Sequence, residues 1–190
     1  MRACWEGFAL SSGDDKLLLT AFVQGDREAF EQVVALYSPR VTRLTWRLLG
    51  WSGEVDDVVQ DVFVTALEQC RNFRGDKDLW PWLTAITVNK CRTRMRRHFL
   101  RLRWLYARSP EAPAAAGSDE PALRDETSAK VRTAIRALPP RDREVIVLYY
   151  LEDRSVSEIC SMLGATENAI DVRLHRARKR LRELLEDFAT

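Results

Sequence analysis

The chain has 190 residues, enough for one medium domain or two small ones, and its 30 Lys/Arg nearly balance 28 Asp/Glu. The cysteines Cys4, Cys70, Cys91 and Cys160 form no C-x-x-C, and neither His98 nor His175 has a partner at ligand spacing, so the pattern offers no disulfide framework or zinc motif. The N-terminus carries no charged-then-apolar leader and no apolar run approaches spanning length, so a cytoplasmic protein without membrane insertion is expected.

Helical periodicity dominates and β-type alternation is missing. A first helix is expected over Asp14–Gln24, ended by Gly25. Asp26 is placed to cap a second, whose face of Phe30, Val33, Val34 and Tyr37 resumes after Pro39 as Val41, Leu44, Leu48 and Leu49. After a turn over Gly50–Gly53, the residues Val55, Val58, Val59, Val62, Phe63, Ala66 and Leu67 mark an amphipathic helix. Its other side carries Glu54, Asp57, Gln60, Asp61 and Glu68. A polar loop from Arg71 to Asp78 leads to a helix opening near Pro81, a residue suited to a first turn. This helix holds Trp82, Leu83, Ile86 and Asn89 before an arginine-rich tail.

The stretch SPEAPAAAGSDEPALRDE is poor in large apolar groups and cannot offset its ordering entropy, so residues 107–126 are expected to be a flexible linker. Beyond it, Val131, Ala134, Ile135 and Leu138 define a helix stopped by Pro139-Pro140, and Arg141–Leu151 the next. Ser155 or Ser157 is placed to cap a short helix with Ile159 and Leu163. Gly164 follows, and Thr166 opens a last helix that turns Ile170, Leu174, Ala177, Leu181 and Leu184 inward. A helix, a tight Gly-containing connection and a longer helix have helix-turn-helix spacing. The fold class expected is all-α, with helical modules over 14–106 and 127–187.

Charge is segregated along this plan. Met1–Cys70 has 6 basic and 11 acidic residues, Arg71–Arg108 has 11 basic and 2 acidic, and Arg173–Arg182 has 6 basic residues and none acidic. An acidic front and two basic blocks suggest one surface for a protein and two for a polyanion. In the last helix Asp171, Val172, His175 and Arg176 project from the N-terminal half, flanked by Arg173 and Arg178: side chains for base edges beside arginines for phosphate. In the long basic helix Lys90, Arg92, Arg94, Arg96 and Arg97 lie among Trp82, Met95, His98 and Phe99, with Phe73 and Trp80 beside the preceding loop. Basic groups neutralise phosphate and aromatic faces stack on unpaired bases.

The segment DDVVQDVFVTAL, F-R-G in the loop, and WPWLTAITVN before an arginine run resemble the second conserved region of bacterial sigma factors. ALPPRDREVIVLYYLEDRSVSEICSMLG and RLHRARKRLRELL resemble the fourth, and the chain is similar to a compact, extracytoplasmic-function-type sigma factor. The resemblance implies a partner, core RNA polymerase, docked by Asp56, Asp57, Gln60 and Asp61. It implies that Phe73, Trp80, Asn89, Arg92, Arg96 and Arg97 take the melted, single-stranded upstream element. Asn suits base capture because its amide both donates and accepts. The last helix would read duplex promoter DNA through Asp171, Val172, Arg173, His175, Arg176 and Arg178. The sequence departs from the family pattern at Thr93, Asn168-Ala169-Ile170 and Asp171-Val172; an Asp repels phosphate but accepts from a cytosine amino group.

No catalytic residue, metal or cofactor is required, because binding extruded bases itself favours the melted state. An anti-sigma protein is a candidate regulator. Two other functions compete. A helix-turn-helix activator independent of polymerase leaves the acidic helix and aromatic loop unexplained. A hydrolase using Asp56, Asp57 and Asp61 lacks a matching His, metal motif or Gly-rich phosphate loop.

Overall fold

The computed structural model describes residues 14–50, 53–73, 78–106 and 126–187. The proposed linker, apart from Glu126, and most of the tip of the Phe73 loop lie outside the described residues. Those described form helices α1 (Asp14–Gln24), α2 (Arg27–Leu49), α3 (Val55–Gln69), α4 (Trp80–Tyr106), α5 (Glu126–Ala137), α6 (Pro140–Ile146), α7 (Val156–Leu163) and α8 (Glu167–Asp187). A 3₁₀ turn over Cys70–Asn72 follows α3, and the described residues contain no strand. None of the helices searched is long and apolar enough to cross a membrane.

The boundaries follow from local chemistry. Asp26 caps α2 by accepting from the Ala29 N–H at 2.8 Å. Pro39 lies inside α2 and does not end it. An interior proline costs about 3 kcal/mol, and Val33, Val41, Leu44 and Leu48, all fully buried on either side of it, each contribute about 1.5–3 kcal/mol by burial. One continuous helix therefore carries the stripe on both sides of Pro39. Gly50 closes α2 with φ +80, and Asp78 accepts from the Trp80 N–H at 2.9 Å to start α4. The expected single helix over Arg141–Leu151 instead ends at Ile146 and widens into a π turn over Val147–Leu151, closed by the Glu152 N–H donating to the Val147 carbonyl at 3.1 Å. Ser155 and Glu158 form a reciprocal capping box on α7, Gly164 ends it in the left-handed region, and Thr166 accepts from the Ala169 N–H at 3.3 Å to open α8.

In the first half α2, α3 and α4 pack on one another and α1 lies on α2; in the second, α5, α6 and α7 surround α8. Ile170, Leu174 and Ala177 are buried as their spacing requires, with Leu181 and Leu184 packed at the margin. Cys70 and Cys91 are buried thiols, and burial pushes Cys91 up to about 12. The halves are also in contact, α2 with α6 and α4 with α7, so that their buried side chains form one continuous cluster.

Candidate protein and nucleic-acid interfaces

The acidic face of α3 is fully displayed. Asp56, Asp57, Gln60 and Asp61 are exposed, and Arg94 on α4 braces the start of the helix, donating to Asp57 at 2.9 Å and lying 3.8 Å from Glu54. Two apolar side chains join them: Val64 and Leu67 are 48% and 44% exposed. Leu67 was expected in the buried stripe, but the stripe closes on Val55, Val58, Val62, Phe63 and Ala66. At i+3 and i+6 from Asp61, the two extend the acidic face into a mixed apolar–acidic strip suited to a protein partner.

Along α4 the expected residues divide. Asn89, Arg96 and Arg97 are exposed, and Thr93, one turn after Asn89, donates to its backbone carbonyl at 3.0 Å. Phe99 and Leu100 extend the open surface beyond them. Phe73 and Trp80 are instead buried. Phe73 tilts against Trp82 at 5.5 Å, and Trp80 stacks on Tyr37 at 6.4 Å with the Arg40 guanidinium 4.0 Å from its ring centre. Arg92 is half-buried: it donates to the Leu163 carbonyl at 3.0 Å and pairs with Glu144 at 3.6 Å.

On α8, Asp171, Val172 and His175 point outward, Val172 being 57% exposed. They occupy the N-terminal half of the second helix of the helix-turn-helix, where base-edge contacts are made in such motifs. The neighbouring arginines are already engaged. Arg176 and Arg180 both pair with Asp142 on α6 at 2.5 Å, a carboxylate with no exposed surface. The hydrogen bonds and charge of Asp142 push Arg176 above the usual arginine range. Arg178 donates to the Tyr150 hydroxyl at 2.8 Å and lies over the rings of Tyr149 and Tyr150, while Arg173 is half-buried near Glu144.

Sequence reasoning passed over the charges between the halves. Arg143 is 5% exposed and donates to the Leu49 carbonyl at 2.9 Å and to the Arg136 carbonyl at 2.9 Å. Arg136 in turn lies 4.6 Å from the Trp46 ring centre. Glu152 pairs with Arg47 at 3.2 Å. Burial pushes the Glu144 and Glu152 carboxyls up, partly offset by arginines around each. The run RDRE in the second half signals Arg143 and Glu144, and it reads equally as a solvated helix face.

Comparison with known proteins accounts for both halves. The sigma-70 region 2 profile matches residues 33–99 and the sigma-70 region 4 profile matches residues 128–181, together more than half of the chain. The chain is 32% identical over 176 residues to the ECF RNA polymerase sigma factor SigM of Mycobacterium tuberculosis, covering 90% of this chain and 84% of SigM. It is 31% identical over 182 residues to the RNA polymerase sigma factor CnrH of Cupriavidus metallidurans, covering 90% and 94%. A solved structure of CnrH in complex with the cytosolic domain of CnrY is similar at a TM-score of 0.61, covering 91% of this chain and 97% of that one. The sigma factor RpoE of Bartonella quintana, solved in complex with the anti-sigma factor NepR, is similar at a TM-score of 0.68 and 25% identity, covering 83% and 96%. A free-standing activator would need only the second half, whereas here regions 2 and 4 follow one another in family order, and the chain belongs to the sigma-70 family of RNA polymerase sigma factors, in its extracytoplasmic-function group.

Proposed function

We propose that the strip on α3, comprising Asp56, Asp57, Gln60, Asp61, Val64 and Leu67, docks core RNA polymerase, while α4 and α8 supply two separate promoter contacts. Asn89 takes an extruded base of the melted upstream element, with Arg96, Arg97 and Arg92 on its phosphates; Phe73 and Trp80, buried against Trp82 and Tyr37, act only through the packing that starts α4. Asp171, Val172 and His175 read base edges in the duplex element farther upstream, flanked by Arg173, Arg176 and Arg178. The observation that carries this reading is the exposure of Asn89, Arg96 and Arg97 on one helix and of Asp171, Val172 and His175 on another, in the two matched regions.

The division into modules 14–106 and 127–187 around a linker at 107–126 belongs to the same proposal, as does a cytoplasmic, non-enzymatic role. Melting follows from binding energy spent on unpaired bases and needs no reacting side chain. An anti-sigma factor is proposed as a regulatory partner, since RpoE of Bartonella quintana is held by one. The test is reconstitution. Purified chain added to core polymerase should direct transcripts from a small set of sites in a genomic library, and core alone should not. A chain that co-purifies with no polymerase subunit and starts no transcript would end this reading.

A further inference from the structure

At the start of α8 two polar side chains have no structural task. Thr166 already caps the helix through the Ala169 N–H, so Asn168 is not needed as a cap. Glu167 supplies the acidic group that favours a first turn, and Asp171 lies one turn on, where that effect has faded. Asn168 and Asp171 are both exposed, and among the described residues no hydrogen bond or ion pair holds either side chain.

The cations of the same helix are placed differently. Arg176 and Arg180 are drawn to Asp142, Arg178 to the Tyr150 hydroxyl, and Arg173 faces Glu144. Guanine is read by a bidentate arginine or lysine, the commonest specific contact in the major groove. Here the outward line of the first two turns is Asn168, Val172 and His175, at spacings of four and three residues. With the Asp171 carboxylate beside it, this face offers acceptors and an apolar surface where a guanine-reading helix offers a guanidinium.

The bases that answer acceptors are those with an exocyclic amino group in the groove. Cytosine presents its N4 amino group, and adenine presents its N6 amino group beside the N7 acceptor. Guanine O6 and thymine O4 are acceptors themselves and repel a carboxylate. An Asn amide matches adenine by donating to N7 and accepting from N6, whereas a carboxylate only accepts and so matches cytosine. Side chains three residues apart on a helix are about 5–6 Å apart, which spans one to two base steps of about 3.4 Å.

We propose that the duplex element is selected by amino groups: Asp171 takes the N4 amino group of a cytosine, and Asn168 takes the edge of an adenine one or two base pairs away. The proposal rests on the reading of α8 as the duplex-contacting helix.

The test uses the full-length chain assembled with core polymerase. Its templates hold the start region open as a mismatched bubble and carry a randomised upstream duplex. Sequencing the templates that yield transcripts gives the base preference at every position. The wild type should enrich cytosine at one position and adenine one or two pairs away, each about tenfold, or about 1.4 kcal/mol. Asp171→Arg should turn the cytosine position to guanine and leave the adenine position alone, a gain that misfolding cannot produce. Asn168→Ala should flatten the adenine position only.

If Asp171 acts merely by repelling phosphate, Asp171→Ala will raise transcription from every sequence equally, and the assignment is overturned. A wild-type preference for guanine at the position that Asp171→Arg alters overturns it as well, as do preferences that neither substitution moves. Where such preferences follow Val172→Ala or His175→Ala instead, α8 remains the reading helix and only the assignment of bases falls. A holoenzyme that transcribes the bubble templates but selects no base anywhere upstream removes the reading of α8 itself.

Discussion

Asp142 and Arg176 are joined across α6 and α8 by three donor–acceptor contacts of 2.5–3.2 Å, and Arg180 adds a fourth on the same carboxylate. Asp142 has no exposed surface, so the pair ties the helix carrying Asp171, Val172 and His175 to the body of its module. Arg176 is thus structural before it is anything else. Asp142→Ala should lower stability by about 1.5–3 kcal/mol, the range for a hydrogen bond to a charged group, and toward its lower end because both arginines remain near half exposed. Urea unfolding reads this directly. An unchanged midpoint would mean that water replaces the carboxylate without loss.

Docking through α3 makes a separate claim. Asp57→Lys with Asp61→Lys should abolish binding to core polymerase, because like charges at an interface cost several kcal/mol. Helix content should be retained, since neither side chain is buried. Val64→Ser with Leu67→Ser should weaken the same binding without any change of charge. A pull-down in which both double variants retain polymerase would take α3 out of the interface.

For Asn89 the expected outcome is a split between two activities. Asn89→Ala should reduce promoter opening while sparing affinity for duplex carrying only the farther element, at a cost of about 1–3 kcal/mol for one base contact. Its exposed side chain argues that the melting temperature will not move. Arg96→Ala should instead weaken binding across all sequences and lower the salt slope by about one counterion. Permanganate footprinting beside thermal melts separates these outcomes. Normal melting together with a normal open-complex signal would defeat base capture.

Acid should act unusually on the contact between the modules. Burial raises Glu144 and Glu152 above the ordinary glutamate value of 4.5. Facing Glu144 are Arg92 from α4, Arg173 from α8, and Arg141 and Arg143 from its own helix; facing Glu152 are Arg47 and Arg40 from α2, Trp80 from α4, and Arg154. Raised carboxyls bind protons more readily in the packed state. Their contribution to packing is therefore fully present below 4.5 and is lost as pH rises through the raised values. Glu152→Gln should flatten that part of the stability–pH profile in urea titrations at stepped pH. A slope identical to the wild type would place the proton uptake elsewhere.

The legible part of the fold was the part set by local chemistry. Asp26, Ser155, Gly164 and Thr166 announce their helix ends in a few residues, and the spacing of Ile170, Leu174 and Ala177 fixes the inward face of α8. Pro39 stays inside α2 although its penalty is local, because the burial that outweighs it comes from other helices. Among the candidate sites, Asn89 and Asp171 lie on open faces, but Trp80 and Arg92 are enclosed by partners more than 40 residues away in the chain, Tyr37 and Glu144. The same holds for Glu152 with Arg47, a pair 105 residues apart, which no window of sequence can join.

Gly50 carries a consequence for the variation the chain can accept. With φ +80 it already excludes most side chains, and a Cβ built there would also collide with the Arg143 guanidinium. A substitution therefore meets two independent obstacles, one in its own backbone and one supplied by the far module. Shortening Arg143 removes only the second. In a mutational scan Gly50→Ala should accordingly be epistatic with Arg143, harmful in the native background and milder where residue 143 is small. The severity of a change in one module would then be set by the identity of a residue in the other.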